Sequence, residues 1–146
     1  MLARHEVLRT RFPKQDGAPT TEVLAPEHFP LQVVALDDPS TTSHLIETEI
    51  TRPFHVGRDP LVRMRLLLPR DEAPVLVLTI HHLVIDGWST GLLVRDLTTA
   101  YAALSRGGTP DWDPLPLQYG DFAAWQQALG LDPSLVWMRQ GRTPPT

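Results

Sequence analysis

Cysteine is absent from the 146 residues. That absence excludes disulfides, thiolate nucleophiles and zinc-thiolate sites together. Long apolar runs are also missing: none approaches the ~18 residues of a membrane span. Arg4, His5, Glu6, Arg9 and Arg11 break up the first segment, so no secretory leader is expected there. The expected location is the cytoplasm. Excess positive charge is lacking as well. The formal net charge is -4, which argues against a broad basic face for nucleic acid. What remains is ordinary for a soluble globular chain, with 42% apolar and 21% charged residues. The length suits one modest domain with its own core. Proline is the one abundant oddity, at fifteen residues. The prolines gather near 13 to 39, 53 to 74, 110 to 116 and the last residues, where they punctuate loops.

Periodicity supplies a coarse map. Residues 1 to 11, MLARHEVLRTR, carry Leu2, Val7 and Leu8 in a short helical pattern with no cap before it. A helix starting uncapped at Met1 suggests that the chain begins inside an element. Pro13 stops it, and Asp16-Gly17 predicts a turn. Residues 20 to 25 and 31 to 36 read as short strands. Asp37-Asp38-Pro39-Ser40 reads as a helix start, with the helix ending before Pro53. LVRMRLLL (61 to 68) alternates in part, with Arg63 and Arg65 on a solvated face. APVLVLTIHH (73 to 82) is denser and suits a central strand, joined to the first by the hairpin connection PRDEAP. After Gly87, Leu92, Leu93, Leu97, Tyr101 and Leu104 fall at helical spacing, ending at Gly107-Gly108. Leu92, Leu93 and Leu97 are expected in the core, Val94 and Arg95 nearer the surface. LQYGDFAAWQQAL (117 to 129) predicts a last helix, with Tyr119 and Trp125 packed inward. Irregular alternation of strands and helices makes the class α+β or mixed α/β.

The stretch LTIHHLVIDGWST (78 to 90) carries the chemistry. Neighbouring residues on a strand point to opposite faces, so His81 and His82 cannot both reach one small site. That argues against a two-histidine metal pair. One histidine should pack inward and the other should face a cleft. Asp86-Gly87 demands a loop, and Ser89 is placed to cap the following helix. A histidine at the end of a central strand sits where ligands commonly bind in mixed sheets. A neutral imidazole accepts a proton near pH 7, which suits an amine, hydroxyl or thiol attacking an acyl carbon. Asp86 has two readings. It orients the imidazole directly, or it turns away and pairs with an arginine. Gly87 lets a substrate pass close to the backbone.

HHLVIDGWS resembles the His-His-x-x-x-Asp-Gly motif of nonribosomal peptide synthetase condensation domains. Two flanking segments agree in order. RHEVLRTRF (4 to 12) is similar to that family's Arg-His-x-x-Leu-Arg-Thr-x-Phe segment, and YGDFAAWQ (119 to 126) to its Tyr-x-Asp-Phe/Tyr-x-x-Trp segment. The resemblance implies a chloramphenicol-acetyltransferase-like fold: an α+β sandwich with a central mixed sheet and flanking helices, in two similar halves. It implies peptide-bond formation, in which the amine of a carrier-bound aminoacyl thioester attacks a carrier-bound acyl or peptidyl thioester. The second histidine of the motif, here His82, stands at the reaction centre as general base or as positioner of the amine. Asp86 is then structural and paired to an arginine of the first segment, with Arg9 first and Arg4 second. His81 packs in the core. Gly87, with Trp88 and Ser89, lines the acceptor channel. No cofactor is bound directly; the phosphopantetheine arms of donor and acceptor peptidyl carrier proteins are substrates. The implied partners also include an adenylation domain of the same assembly line and a C-terminal lobe that this chain lacks.

A full condensation domain is much longer than this chain. The family's segment ahead of the Arg-His match is absent, and residues after 130 part from the pattern. The expectation is therefore an N-terminal lobe over 1 to 130, incomplete at both ends and inactive alone, with a divergent tail over 131 to 146. A lobe without its partner should expose apolar surface and self-associate, which light scattering would detect. An alternative function is a related acyltransferase moving an acyl group from coenzyme A or a carrier to an alcohol. Another is a remnant that only docks a carrier protein. Trp88, Trp112, Trp125 and Trp137 are expected as core or interface anchors. His5, His28, His44 and His55 are too scattered for a shared metal site, and none is expected.

Overall fold

A computed structural model describes residues 1–38 and 40–130. The chain divides into two units, Met1–Asp113 and Pro114–Thr146. The division falls in the proline-rich linker, ahead of residue 130. The expected tail over 131 to 146, with Trp137, lies outside the described residues.

The first unit opens differently from its helical pattern. Only Glu6–Arg9 is helical, as a single 3-10 helix. Strand β1 (Thr10–Arg11) follows and pairs antiparallel with β4 (Glu22–Val23). Between them, β2 (Lys14–Gln15) and β3 (Ala18–Pro19) form a minimal hairpin. Its turn is Asp16-Gly17, both at positive φ (52° and 81°), the two-residue geometry that matches strand twist. Cross-chain bonds override the local helical pattern here. The Arg9 guanidinium donates to the carbonyls of Leu2 and Leu24, and Leu24 N–H donates to Arg9 O at 2.8 Å.

A three-stranded sheet positions the motif. Strand β5 (Gln32–Leu36) crosses over through helix α1 (Thr41–Thr51) to β6 (Val62–Pro69), which lies parallel to it. Strand β7 (Val75–Ile80) then returns antiparallel to β6, with Val62 opposite Ile80 and Leu67 opposite Val75. The sheet order is β5-β6-β7. The core gathers Leu8, Leu24, Phe29, Leu61, Val62, Val84 and Leu93. Leu61 and Leu67 are fully enclosed. Helix α2 (Gly87–Leu104) follows the motif. In the second unit, α3 (Tyr119–Ala128) begins with Gln118 and Asp121 capping each other reciprocally. The expected α+β class holds.

Several expectations about facing change. On α2 the buried positions are Leu93, Asp96 and Ala100, spaced three and four apart, so the inward stripe runs through a carboxylate. Leu92, Tyr101 and Leu104 are exposed, and so is Trp88, at 83%. Trp88 is therefore no core anchor. On α3, Tyr119, Phe122 and Trp125 form an exposed ladder of rings, 6.1 Å and 5.7 Å between centroids, rather than packing inward. On α1, Glu49 is buried while the next residue, Ile50, is exposed. Arg63 and Arg65 are not a solvated strand face. Both turn toward Glu49, because a carboxylate taken out of water needs cations beside it.

Candidate functional site

Strand β7 reaches the motif with its last ladder bond already past Ile80: His81 N–H donates to Leu61 O at 2.9 Å. The chain then turns, and Val84 N–H donates to His81 O at 3.1 Å. Val84 drops into the core at 4% exposure. With 81 tied to the sheet and 84 buried, the intervening residues form the tip of a tight turn. His82 and Leu83 are that tip, and both are exposed. Among the described residues His82 makes no hydrogen bond or ion pair, so its imidazole is free to meet another molecule.

His81 faces the other way. Its ring meets Phe54 edge-on, 5.7 Å between centroids at 88°. Its Nδ1 accepts Leu83 N–H at 3.1 Å. A nitrogen that accepts carries no proton, so the neutral ring holds its proton on Nε2. Strand β7 ends at Ile80, so the turn, not strand alternation, sends the two rings apart.

Asp86 caps α2. Its Oδ1 accepts Ser89 N–H at 2.8 Å, and its carbonyl accepts from Thr90 N–H at 3.0 Å. Ser89 is not the cap expected of it: Asp86 supplies the cap and Ser89 only the N–H. Hydrogen bonding from Ser89 holds the Asp86 carboxyl below its ordinary value, with the last contribution from the His82 imidazole. The expected Asp86–Arg9 pair is not made here. Arg9 binds the carbonyls of Leu2 and Leu24 and approaches Glu6 at 4.0 Å. Arg4, the second choice, reaches Asp96. Gly87, Trp88 and Ser89 form the first turn of α2, beside the His82 tip in sequence. A Cβ added to Gly87 would meet nothing within 4 Å.

Two buried carboxylates, unforeseen in the sequence, hold this frame. Asp96 is 2% exposed. It takes Arg4 Nε at 3.1 Å, His5 Nε2 at 2.8 Å and Arg95 at 3.0 Å. The Arg4-His5 pair thereby clamps the first segment to α2. Glu49, also 2% exposed, takes Arg63 at 2.5 Å, Arg65 at 3.1 Å and Arg52 at 3.3 Å. Both sites had a faint signal: an acidic residue at a core-facing helical position.

Burial pushes the Asp96 carboxyl up, but hydrogen bonds from His5 and Arg95 with their charges bring it below its ordinary value of 3.8. A depressed folded value means that this stabilisation is complete above the unfolded value. It is lost as pH falls through the folded one. Asp96→Asn should flatten the loss of stability below about pH 3.8. Urea midpoints measured at stepped acid pH check this; parallel acid limbs in both proteins contradict it.

A family model described as the condensation domain matches residues 1–133. The chain belongs to that family. Among curated relatives of this condensation-domain chain, phosphinothricin tripeptide synthetase PhsC of Streptomyces viridochromogenes is 42% identical over 135 residues, 88% of this chain and 12% of that protein. A dimodular nonribosomal peptide synthase of Bacillus subtilis is 38% identical over 131 residues, 88% of this chain and 6% of that protein. The chain thus spans a small part of the synthetases it matches. Among solved structures, the X-domain from teicoplanin biosynthesis superposes with a TM-score of 0.77 at 29% identity, covering 94% of this chain and 29% of that one. The starter condensation domain of rhizomide synthetase shares the fold, with a TM-score of 0.78 at 17% identity, covering 95% of this chain and 36% of that one. The α+β architecture is therefore the one condensation domains share. No helix among the described residues is long and apolar enough to cross a membrane.

Proposed function

We propose that this chain supplies the His82 side of a peptide-bond-forming condensation site. The amine of an aminoacyl thioester on an acceptor carrier attacks the carbonyl carbon of an acyl or peptidyl thioester on a donor carrier. The C–N bond forms and the C–S bond breaks. The donor's phosphopantetheine sulfur leaves and takes up a proton. His82 either accepts the amine's proton or holds the amine in line by a hydrogen bond. The observation that carries this reading is the exposed imidazole of His82 just past the end of β7, unpaired among the described residues, with His81 turned inward. Asp86 fixes the loop by capping α2 and does not orient the imidazole as a triad acid would.

The donor and acceptor peptidyl carrier proteins are the proposed partners, together with an adenylation domain in a cytoplasmic assembly line. A second lobe roofs the His82 side, and the isolated chain forms no amide. The test supplies the chain, joined to the rest of a condensation domain, with two loaded carriers and follows the amide by mass spectrometry. Amide product supports the reading. Ester formation with an alcohol acceptor, and no amide, would replace it with the related acyltransferase; carrier binding without turnover would replace it with a docking remnant.

Gly87 offers a separate check. Among the described residues nothing crowds its α-carbon, so its smallness serves no packing there. Gly87→Ala in the first turn of α2 should raise stability by about 0.5 kcal/mol through the unfolded state. If the acceptor arm passes this backbone, the same change slows amide formation in the joined domain. An unaltered rate would remove Gly87 from the acceptor channel.

A further inference from the structure

Arg63 links three features that meet at the motif. Its guanidinium gathers the end of α1. Nε reaches Glu49 Oε1 at 2.5 Å, and Nη2 donates to the carbonyls of Glu49 and Arg52 at 3.1 and 2.7 Å. Nη1 donates to Pro53 O at 3.3 Å. Carbonyls at a helix end lack intrahelical partners, and one forked cation here takes up those of Glu49 and Arg52 beside the Arg52 C-cap. The chain then presents Phe54, and the same guanidinium lies over its ring, 3.7 Å from the centroid. Phe54 is the ring that meets His81 edge-on. His81 in turn accepts the N–H of Leu83, the residue after His82. Arg63 also lies on β6 next to Val62, whose cross-strand partner Ile80 immediately precedes His81.

We propose that Arg63 is a positioning residue for His82, acting through Phe54 and His81 and touching no substrate. The inference rests on the reading of His82 given above. Held under the guanidinium, Phe54 is a fixed wall against which the His81 ring has one orientation. That orientation keeps Nδ1 on Leu83 N–H and so fixes the peptide that joins His82 to Leu83. Without the wall the His81 ring rotates, the bond to Leu83 opens, and the His82 tip samples several directions. Lysine would keep a charge near Phe54 but lose the fork that holds it there.

The test is long-range ¹H–¹⁵N NMR of the histidine rings in the chain itself. The native chain should show His81 as a single tautomer, protonated on Nε2. Arg63→Met and Phe54→Leu should each convert it to an exchanging mixture and abolish the hydrogen-bonded signature of the Leu83 amide. Arg63→Lys should give an intermediate state. Arg63→Met leaves Glu49 short of a cation, so the double change Glu49→Gln/Arg63→Met removes both charges and keeps the question answerable if the single variant does not fold. A single Nε2-protonated His81 in folded Phe54→Leu and in the double variant overturns the proposal. None of these signals depends on turnover. If they follow expectation while His82 proves irrelevant to amide formation, the reading of the site fails and the Arg63 relay to the turn stands as structural alone.

Discussion

His82→Ala is expected to slow amide formation in the joined condensation domain by about 10² to 10⁴-fold, the usual contribution of one positioned acid–base group. The size follows from the isolation of the imidazole. It is exposed, and no other described side chain pairs with it. Nothing nearby stands ready to replace it: His81 is turned onto Phe54, and Asp86 is engaged with Ser89. The fold should not change, because the ring contributes no packing. Thermal unfolding of the variant should therefore match the parent within about 0.5 kcal/mol. His82→Gln separates the two chemical roles. An amide side chain keeps a hydrogen bond to the amine but cannot take its proton. A glutamine variant as slow as alanine points to proton transfer; partial recovery points to positioning. A rate within twofold of the parent in His82→Ala would remove this residue from the reaction.

Glu49→Ala is expected to destabilise the chain by about 3 to 5 kcal/mol, the cost of stripping the partner from a buried charge. Three guanidiniums converge on this carboxylate. The side chains of Arg63 and Arg65 are only 13% and 19% exposed. Without Glu49 they stand as like charges with little water to separate them. Arg52, half exposed, can swing away at small cost. Glu49→Leu should fare no better, since filling the volume leaves the arginines uncompensated. The neighbouring change Ile50→Ala removes a side chain already 63% exposed and should cost under about 1 kcal/mol. Urea unfolding of the three variants tests the contrast. A loss below about 1 kcal/mol in Glu49→Ala would mean that Arg63 and Arg65 reach water without it.

Much of this arrangement was legible in the chain. Dense apolar strands around PRDEAP predicted the β6–β7 hairpin, because a long antiparallel pair needs only a local turn. The rule that adjacent strand residues face opposite sides predicted different surroundings for His81 and His82, but both lie past the end of β7, and the turn closed by Val84 N–H to His81 O sends them apart. Family membership followed from three ordered segments. What stayed hidden was long-range and charged. A carboxylate on a helix reads as solvated by default, yet Asp96 meets Arg4 across 92 residues of sequence. Arg4-His5 was visible as a motif, but its target was not, since no local pattern encodes which distant helix face will arrive. The same blindness misplaced Arg9, whose partners are main-chain carbonyls that any residue could have offered. Helical spacing likewise placed Leu92 in the core, whereas α2 turns its Leu93–Asp96–Ala100 stripe inward and leaves Leu92 exposed.

The division of labour between the paired histidines can be measured directly. Diethylpyrocarbonate acylates accessible neutral imidazoles, and mass spectrometry of the digested native chain locates each adduct. His28 and His44 are exposed and serve as internal standards. His82 should react as fast as they do, and His81, bound to Leu83 and covered by Phe54, well after them. Labelling of His81 ahead of His82 would contradict the account.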